Sequence, residues 1–406
     1  MDVNDVDNDI EYDEEYDEYH DEGNGENKGS RITVKQRIIR FFILIVALAI
    51  FALVAMSLIQ GPAWVIELLS LRSSEITVEE FNFDAGRSRI FAKMNNSIAS
   101  AGTAGINVVD FGGRETLRDT FRMTQPSISS NGNRSIAFDI GGSAVRVFSE
   151  SQIISSLETY GTIVSATLNN SGWFCVVTQE GGGSRGTVSV HNAAGHEVYR
   201  VDMRTGFPLT AVLSPNNTNL AILNFSETGS NINFYHGIDD YKSEPDLIFD
   251  IYGGLIIDIV FLTNNNLLVI STDSLFTVDR SGSATMLYSF PGQRLGGFVH
   301  CGNFIALHLY DYGIGLQGNL VTLNTNGTIL GELAINREIL SMSAINNSLV
   351  ILLSEGVVFF NRNLDVFQAS ADSLSAAGSS RVLALSNDTA LATNDNTAIV
   401  IRRGEH

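Results

Sequence analysis

The sequence predicts an all-β domain, a propeller of eight four-stranded blades, behind one membrane-spanning α-helix and a disordered acidic tail. Three observations predict it. Asparagine-rich turns recur at intervals of roughly 36 to 48 residues, close to the period of a four-stranded blade. A second landmark, a short apolar strand running into a polar turn, keeps the same phase. Ahead of this repeat lie nineteen consecutive uncharged residues, 41–59 (FFILIVALAIFALVAMSLI).

Residues 1–30 hold thirteen Asp and Glu against the single Lys28, and almost no apolar side chains. Self-repulsion with nothing to bury predicts a disordered tail. Asp5, Asp7 and Asp9 imitate the opening of an EF-hand calcium loop, but Ile10 stands where the turn glycine belongs and Tyr16 where the bidentate glutamate belongs. No metal is expected there. Residues 31–40 reverse the charge with Arg31, Lys35, Arg37 and Arg40.

Residues 41–60 read as the spanning helix. At about 1.5 Å per residue such a run just crosses a hydrocarbon core of about 30 Å. It is longer than the apolar region of a signal peptide and lies behind forty polar residues, and it lacks the polar face of a core helix. The basic residues on its N-terminal side place the tail in the cytoplasm and the rest of the chain outside, at the cell membrane. Residues 61–74 form a juxtamembrane stem, with Pro62 suited to a first helical turn and Trp64 to the interfacial belt.

Residues 75–406 are the propeller. Its turns fall at Asn95-Asn96-Ser97, Ser130-Asn131-Gly132, Asn169-Asn170-Ser171 and Asn216-Asn217-Thr218, then at Asn264-Asn265-Asn266, Gly302-Asn303, Asn346-Asn347-Ser348 and Asn387-Asp388-Thr389. Asn, Asp and Gly tolerate left-handed backbone angles, so hairpins select them. Each turn is followed by an apolar strand, such as Leu220-Ala221-Ile222-Leu223, and then by a strand that ends polar, such as Phe276-Thr277-Val278-Asp279. Pro126, Pro208 and Pro291 sit where one repeat passes to the next, as suits a residue without a ladder donor. Eight turns give eight blades, or seven if one of the weaker units does not belong to the series. The last repeat ends after Ala398-Ile399-Val400-Ile401, one strand short, and residues 75–84 (EITVEEFNFD) are placed to supply it. Closing the ring with both termini removes the exposed sheet edges.

The phrase Leu213-Ser214-Pro215-Asn216-Asn217-Thr218-Asn219-Leu220-Ala221 resembles the strand–turn–strand phrase of WD-repeat-like and quinoprotein-like propellers. With the acidic tail and the single helix, the chain resembles an uncharacterised bacterial family of membrane-anchored propeller proteins. That resemblance implies an architecture and no active site. The tryptophan-aspartate dipeptide is absent, and Trp64 and Trp173 are the only tryptophans, so the repeated tryptophan docking of quinone-dependent propellers is missing and no cofactor is expected.

Two catalytic patterns fail on context. Gly182-Gly183-Ser184-Arg185-Gly186 fits a hydrolase nucleophile elbow, but that chemistry needs a strand-to-helix turn and this segment links two strands. Gly313-Ile314-Gly315-Leu316-Gln317-Gly318 fits the dinucleotide fingerprint, yet a strand follows where a helix is required. The histidines make no helical zinc pair, and His191 and His196, flanking a turn, are expected to be exposed. Cys175 and Cys301 form no disulfide framework and read as buried, inert thiols.

Binding is left to loops longer than the repeat requires, at 179–186, 226–231, 236–246 and 308–319. Within them the candidate residues are Tyr310, Asp311 and Tyr312, and His236, Asp239, Asp240 and Tyr241. Neither soluble part is basic and the chain carries a net charge of −20, which argues against nucleic acid as a partner. The expected function is a membrane-anchored extracytoplasmic module that binds or scaffolds a protein or a cell-envelope glycan, without catalysis. The alternative is an extracytoplasmic enzyme acting on glycan or lactone substrates in the propeller channel, which the fold alone permits. Asn-x-Ser/Thr sequons begin at Asn95, Asn133, Asn169, Asn216, Asn224, Asn326, Asn346 and Asn387; most coincide with turns, where turn chemistry suffices to explain them.

Overall fold

Each asparagine turn joins the first and second strands of a four-stranded antiparallel sheet, and there are eight such sheets. The structure, a computed structural model, describes residues 77–81, 89–180, 184–238, 242–251, 254–311, 318–369, 378–394 and 398–402, with side chains in all but 77–81 and 366–369. The tail 1–30, the basic segment 31–40, the candidate span 41–60 and the stem 61–74 lie outside the described residues. Among the described residues no helix is long and apolar enough to cross a membrane.

The blades follow one another along the chain: 90–120, 126–158, 162–203, 207–250, 256–289, 293–335, 339–369, and an eighth at 381–402. The eighth holds three strands of its own and takes its fourth from Thr77–Phe81, which pairs antiparallel with Ala398–Arg402. The register is Val78 opposite Ile401, Glu79 opposite Val400 and Glu80 opposite Ile399. The strand expected at 75–84 is therefore the closing strand, and the count is eight rather than seven.

The core is divided among the seams. Among the described residues eight hydrophobic clusters form, and each is shared by two adjacent blades, from the first and second to the eighth and first. Between blades three and four, for example, Val177, Val188 and Tyr199 meet Leu213, Leu220 and Tyr235. The middle strands of a blade are covered on both faces, so they read as unbroken apolar runs such as Leu349-Val350-Ile351-Leu352. The fourth strands alternate instead; Glu197–Met203 shows every second residue buried from Tyr199 onward.

The turns do more than reverse the chain. Asn217 and Asn346 hold left-handed angles of 63° and 53°, as do Gly132 at 62° and Gly302 at 47°. They also join neighbouring blades. The Asn95 amide donates to the Gly132 carbonyl at 3.0 Å, Asn169 Nδ2 to Asn217 Oδ1 at 2.6 Å, and the Asn216 amide to Asn264 Oδ1 at 2.9 Å. Farther round, Asn303 and Asn347 side chains meet at 3.1 Å and Ser348 Oγ donates to the Asn387 carbonyl at 3.2 Å. One face of the propeller is thus a belt of turn-to-turn bonds, called here the asparagine face.

Five first strands carry a bulge at one equivalent position, with Val164, Leu209, Ile257, Gly296 and Leu340 as the inserted residues. The bulge lies near the start of each strand, away from the asparagine face, and increases the local twist. Three sequence expectations need correction. Residues 226–231 are no long loop: Asn219–Ser226 and Gly229–His236 pair up to Ser226 opposite Gly229, leaving only Glu227 and Thr228 at the tip. His191 is buried, its ring stacked 4.7 Å from Phe174, because its strand continues one residue past the expected turn. Cys301 is half-buried, its Sγ 3.7 Å from the Asn346 carbonyl, because it ends the first strand of blade six at the asparagine face; Cys175 is buried as expected.

Candidate ligand-binding channel

The first strands of blades two to seven, with the asparagine turns that end them, enclose a cavity of about 670 Å³. The sequence of each blade dictates this lining. In a first strand one side packs into one seam and the other into the next, so Ala211 and Leu213 are buried against blade three while half-exposed Val212 packs against blade five, and Val212 and Leu213 both border the cavity. Polar groups at central positions tie one first strand to the next: Thr167 to the Ala211 carbonyl, Ser165 to the Leu209 carbonyl, and Ser343 to the Ala384 amide. The wall is therefore stiffened by bonds between blades as well as within them.

The cavity wall is mixed. Asn131, Asn169 and Asn170 stand toward the asparagine face, Trp173 and Phe261 supply aromatic surface, and Asp258 and His300 are its ionisable groups. Burial raises the Asp258 carboxyl above its ordinary range, opposed by the Ile259 amide donating to it at 2.9 Å. Burial alone lowers His300, whose Nε2 is enclosed without a hydrogen-bond partner. Both groups are pushed toward neutrality by the same cause, and neither shift includes the other's charge. A coupled acid–base pair is recognised by mutual electrostatic perturbation, and these two do not show it. Among the described residues no cluster of three or more His, Cys, Asp or Glu could hold a metal ion.

The sequence candidates occupy two other places, in different blades and at opposite ends of the sheets. Tyr310 and Asp311 end the second strand of blade six, away from the asparagine face, while His236 ends the third strand of blade four toward it. Tyr312, Asp239, Asp240 and Tyr241 lie outside the described residues. Tyr310 fills a seam. Its ring is 4.1 Å from the His308 ring, lies under Arg294 at 5.3 Å, and occupies the space left by Gly296, where a Cβ would come within 2.3 Å of it. Burial raises its phenol, which also bonds the Ile339 backbone of blade seven. Asp311 is exposed and accepts from Gln293 Nε2 at 2.9 Å.

His236 staples its own loop. Its amide donates to Asp246 Oδ2 at 2.7 Å, Lys242 Nζ donates to its carbonyl at 2.9 Å, and Lys242 pairs with Asp246 at 2.8 Å. Burial of the His236 ring lowers its pKa. Tyr199 of blade three donates its hydroxyl to the Lys242 carbonyl, and burial followed by the Asp246 charge pushes that phenol up to about 12. Most of the two rejected motifs, at 182–183 and 313–317, lies outside the described residues; of the rest, Gly186 opens the third strand of blade three and Gly318 that of blade six, with Ser184 Oγ donating to the Gly186 carbonyl at 2.9 Å.

Sequence reasoning passed over Trp173, Asp258 and His300 because it sought function in long loops. The signal was the half-buried strand preceding each asparagine turn. It also passed over Arg204, Phe207 and Phe225, which border a second groove described below.

Residues 72–363 match the model of a family described as a family of unknown function (DUF5711). The chain belongs to that family. Among curated proteins none matches it. Of solved structures, the C-terminal WD40 domain of Sif2 is similar at a TM-score of 0.57 and 12% identity, over 81% of this chain and 99% of that one. The WD40 domain of SCAP from fission yeast is similar at a TM-score of 0.53 and 13% identity, over 81% of this chain and 98% of that one. At these identities the likeness concerns the fold alone, a WD40-like β-propeller.

Proposed function

We propose that this DUF5711 protein is a membrane-anchored binding module of the bacterial cell surface, holding its propeller outside the cytoplasm on the helix at 41–60. The observation that carries the binding reading is the 670 Å³ cavity with a mixed wall whose two ionisable groups are displaced toward neutrality by burial. A stiff concave site with aromatic surface, amides and few charges suits a neutral polar ligand such as a cell-envelope glycan fragment. The basic residues before position 41 support the orientation. Protease added to spheroplasts should degrade the propeller and spare the acidic tail; a propeller protected until detergent is added refutes the orientation.

Trp173 provides the binding assay. It lines the cavity, and Trp64 is the only other tryptophan, so Trp64→Phe makes its emission diagnostic. Envelope glycan fragments titrated onto the full-length protein should shift that emission saturably and be recovered unchanged. Fragments recovered cleaved, with cleavage lost in Asp258→Asn or His300→Gln, would establish the enzyme alternative instead.

A further inference from the structure

The face away from the asparagine belt carries a second concavity, independent of the channel. Arg185, just before the third strand of blade three, the connection from blade three to four and the hairpin of blade four border a groove of about 430 Å³ that also includes Arg204, Phe207 and Phe225. Phe207 and Phe225 face each other directly across the first two strands of blade four, so both side chains stand on one side of the sheet. They remain 37% and 42% exposed, although every seam nearby offers apolar cover. The Arg185 guanidinium sits 4.9 Å from the Phe207 ring centroid. Among the described residues neither Arg185 nor Arg204 reaches a carboxylate, whereas Arg118, Arg146, Arg200 and Arg337 each do.

Two rings side by side offer a dry platform for one apolar side chain. Two unpaired guanidiniums at its rim offer planar forks that match carboxylates, and a guanidinium over a ring keeps that geometry fixed. The protein as a whole is strongly acidic, with a net charge of −20, so it repels acidic ligands except where local cations prevail. The groove holds two such cations against Glu227 alone. Its hydroxyls are those of Thr205, Ser226 and Thr228, and the last two are engaged with each other, Ser226 also with the Gly229 carbonyl. A sugar chain therefore finds little to hydrogen-bond. We infer that this groove docks an extended acidic peptide of a partner protein, with one aromatic side chain of the peptide seated on Phe207 and Phe225 and flanking carboxylates on Arg185 and Arg204. The inference goes beyond the channel reading and concerns a different face.

The test uses full-length protein in detergent micelles and a fluorescein-labelled peptide with one phenylalanine among aspartates and glutamates, read by fluorescence polarisation. Saturable binding is expected, weakened about tenfold by Arg204→Ala or by Phe225→Ala. It should weaken similarly when the peptide phenylalanine becomes alanine, and it should fall as salt rises. Arg204→Lys should recover only part of the loss, since an ammonium lacks the fork. Arg204→Ala should leave the melting temperature unchanged, because that side chain is exposed. Trp173 emission should stay constant, which keeps this result separate from the channel's. No saturable binding, binding indifferent to both substitutions, or preferential binding of an oligogalacturonate to the same groove would overturn the inference.

Discussion

Removing residues 77–81 should open the propeller, and the cost can be worked from the pairing. Five residue pairs join this strand to Ala398–Arg402. Bonds along a ladder of that length contribute about 1 kcal/mol each, or about 5 in all. A strand of this size covers about 250 Å² of apolar surface, worth about 6 kcal/mol at about 25 cal/mol per Å². Ordering five residues takes back about 1–1.5 kcal/mol each. The net loss is about 4 kcal/mol, a large share of the roughly 5–15 kcal/mol that holds a domain together. It falls at one place: Ala398, Val400 and Ile401, buried in the closed ring, gain a free edge.

The register itself is open to a direct assay. In the full-length chain, Glu79→Cys with Val400→Cys, or Glu80→Cys with Ile399→Cys, should cross-link on mild oxidation and change gel mobility, while pairs offset by one residue should not. Cys301→Ser removes the half-exposed native thiol, and buried Cys175 stays silent. A chain beginning at Ala85 should melt well below one beginning at Leu71, or aggregate. Equal melting of the two, together with cross-links only in offset pairs, refutes the closure argument.

Burial without a partner for Nε2 lowers the His308 pKa to about 4, and burial lowers His191 and His300 too. A histidine held neutral in the fold binds its proton first in the unfolded chain, so its stability is complete above the unfolded value near 6.5 and falls as pH drops toward the folded value. Between about pH 6.5 and 4 His308 should remove up to about 1.4 kcal/mol per pH unit, and His308→Leu should flatten that limb of a denaturation-against-pH curve; an unchanged slope contradicts the burial argument. Gly296→Val places a Cβ 2.3 Å from the Tyr310 ring and should destabilise the chain by about 1–3 kcal/mol in chemical denaturation, with Tyr310→Ala restoring part of the loss. No coupling between those two substitutions would mean that Tyr310 does not occupy the seam.

The fold was legible because its period is written in turn chemistry. At Gly132, Gly172, Asn217, Gly302 and Asn346 the left-handed backbone selects Gly or Asn, and the continuous apolar runs after the turns follow from burial on both faces of a blade. The missing strand of the eighth blade could be counted from the sequence alone. The candidate site was far less legible. Tyr310 beside Asp311 reads like a recognition cluster, but recognising it as seam filling requires knowing that Gly296, fourteen residues earlier, faces the same ring. His236 beside an acidic loop reads like a ligand contact, but the loop's Asp246 and Lys242 are spent on each other and on the His236 backbone. Asp258 carries no local signal, since its place in the channel depends on blades formed by distant segments.

The departures from the repeat are where the repeat stops explaining the sequence. At the bulge position, blades three, four, five and seven carry Val164, Leu209, Ile257 and Leu340, whereas blade six carries Gly296 and fills the gap with Tyr310 and His308 from its own second strand. That exchange is packing within one blade, and at its edge Asp311 accepts from Gln293. Blade four departs differently. Its first two strands set Phe207 opposite Phe225, both rings remaining more than a third exposed although Arg185 lies over Phe207. A solvent-facing aromatic pair gains little for the fold, because burying such side chains is what makes them stabilising. Of the two irregular blades, then, blade six has resolved its irregularity internally, and blade four presents its own outward, beside two arginines that have no carboxylate partner in the described fold.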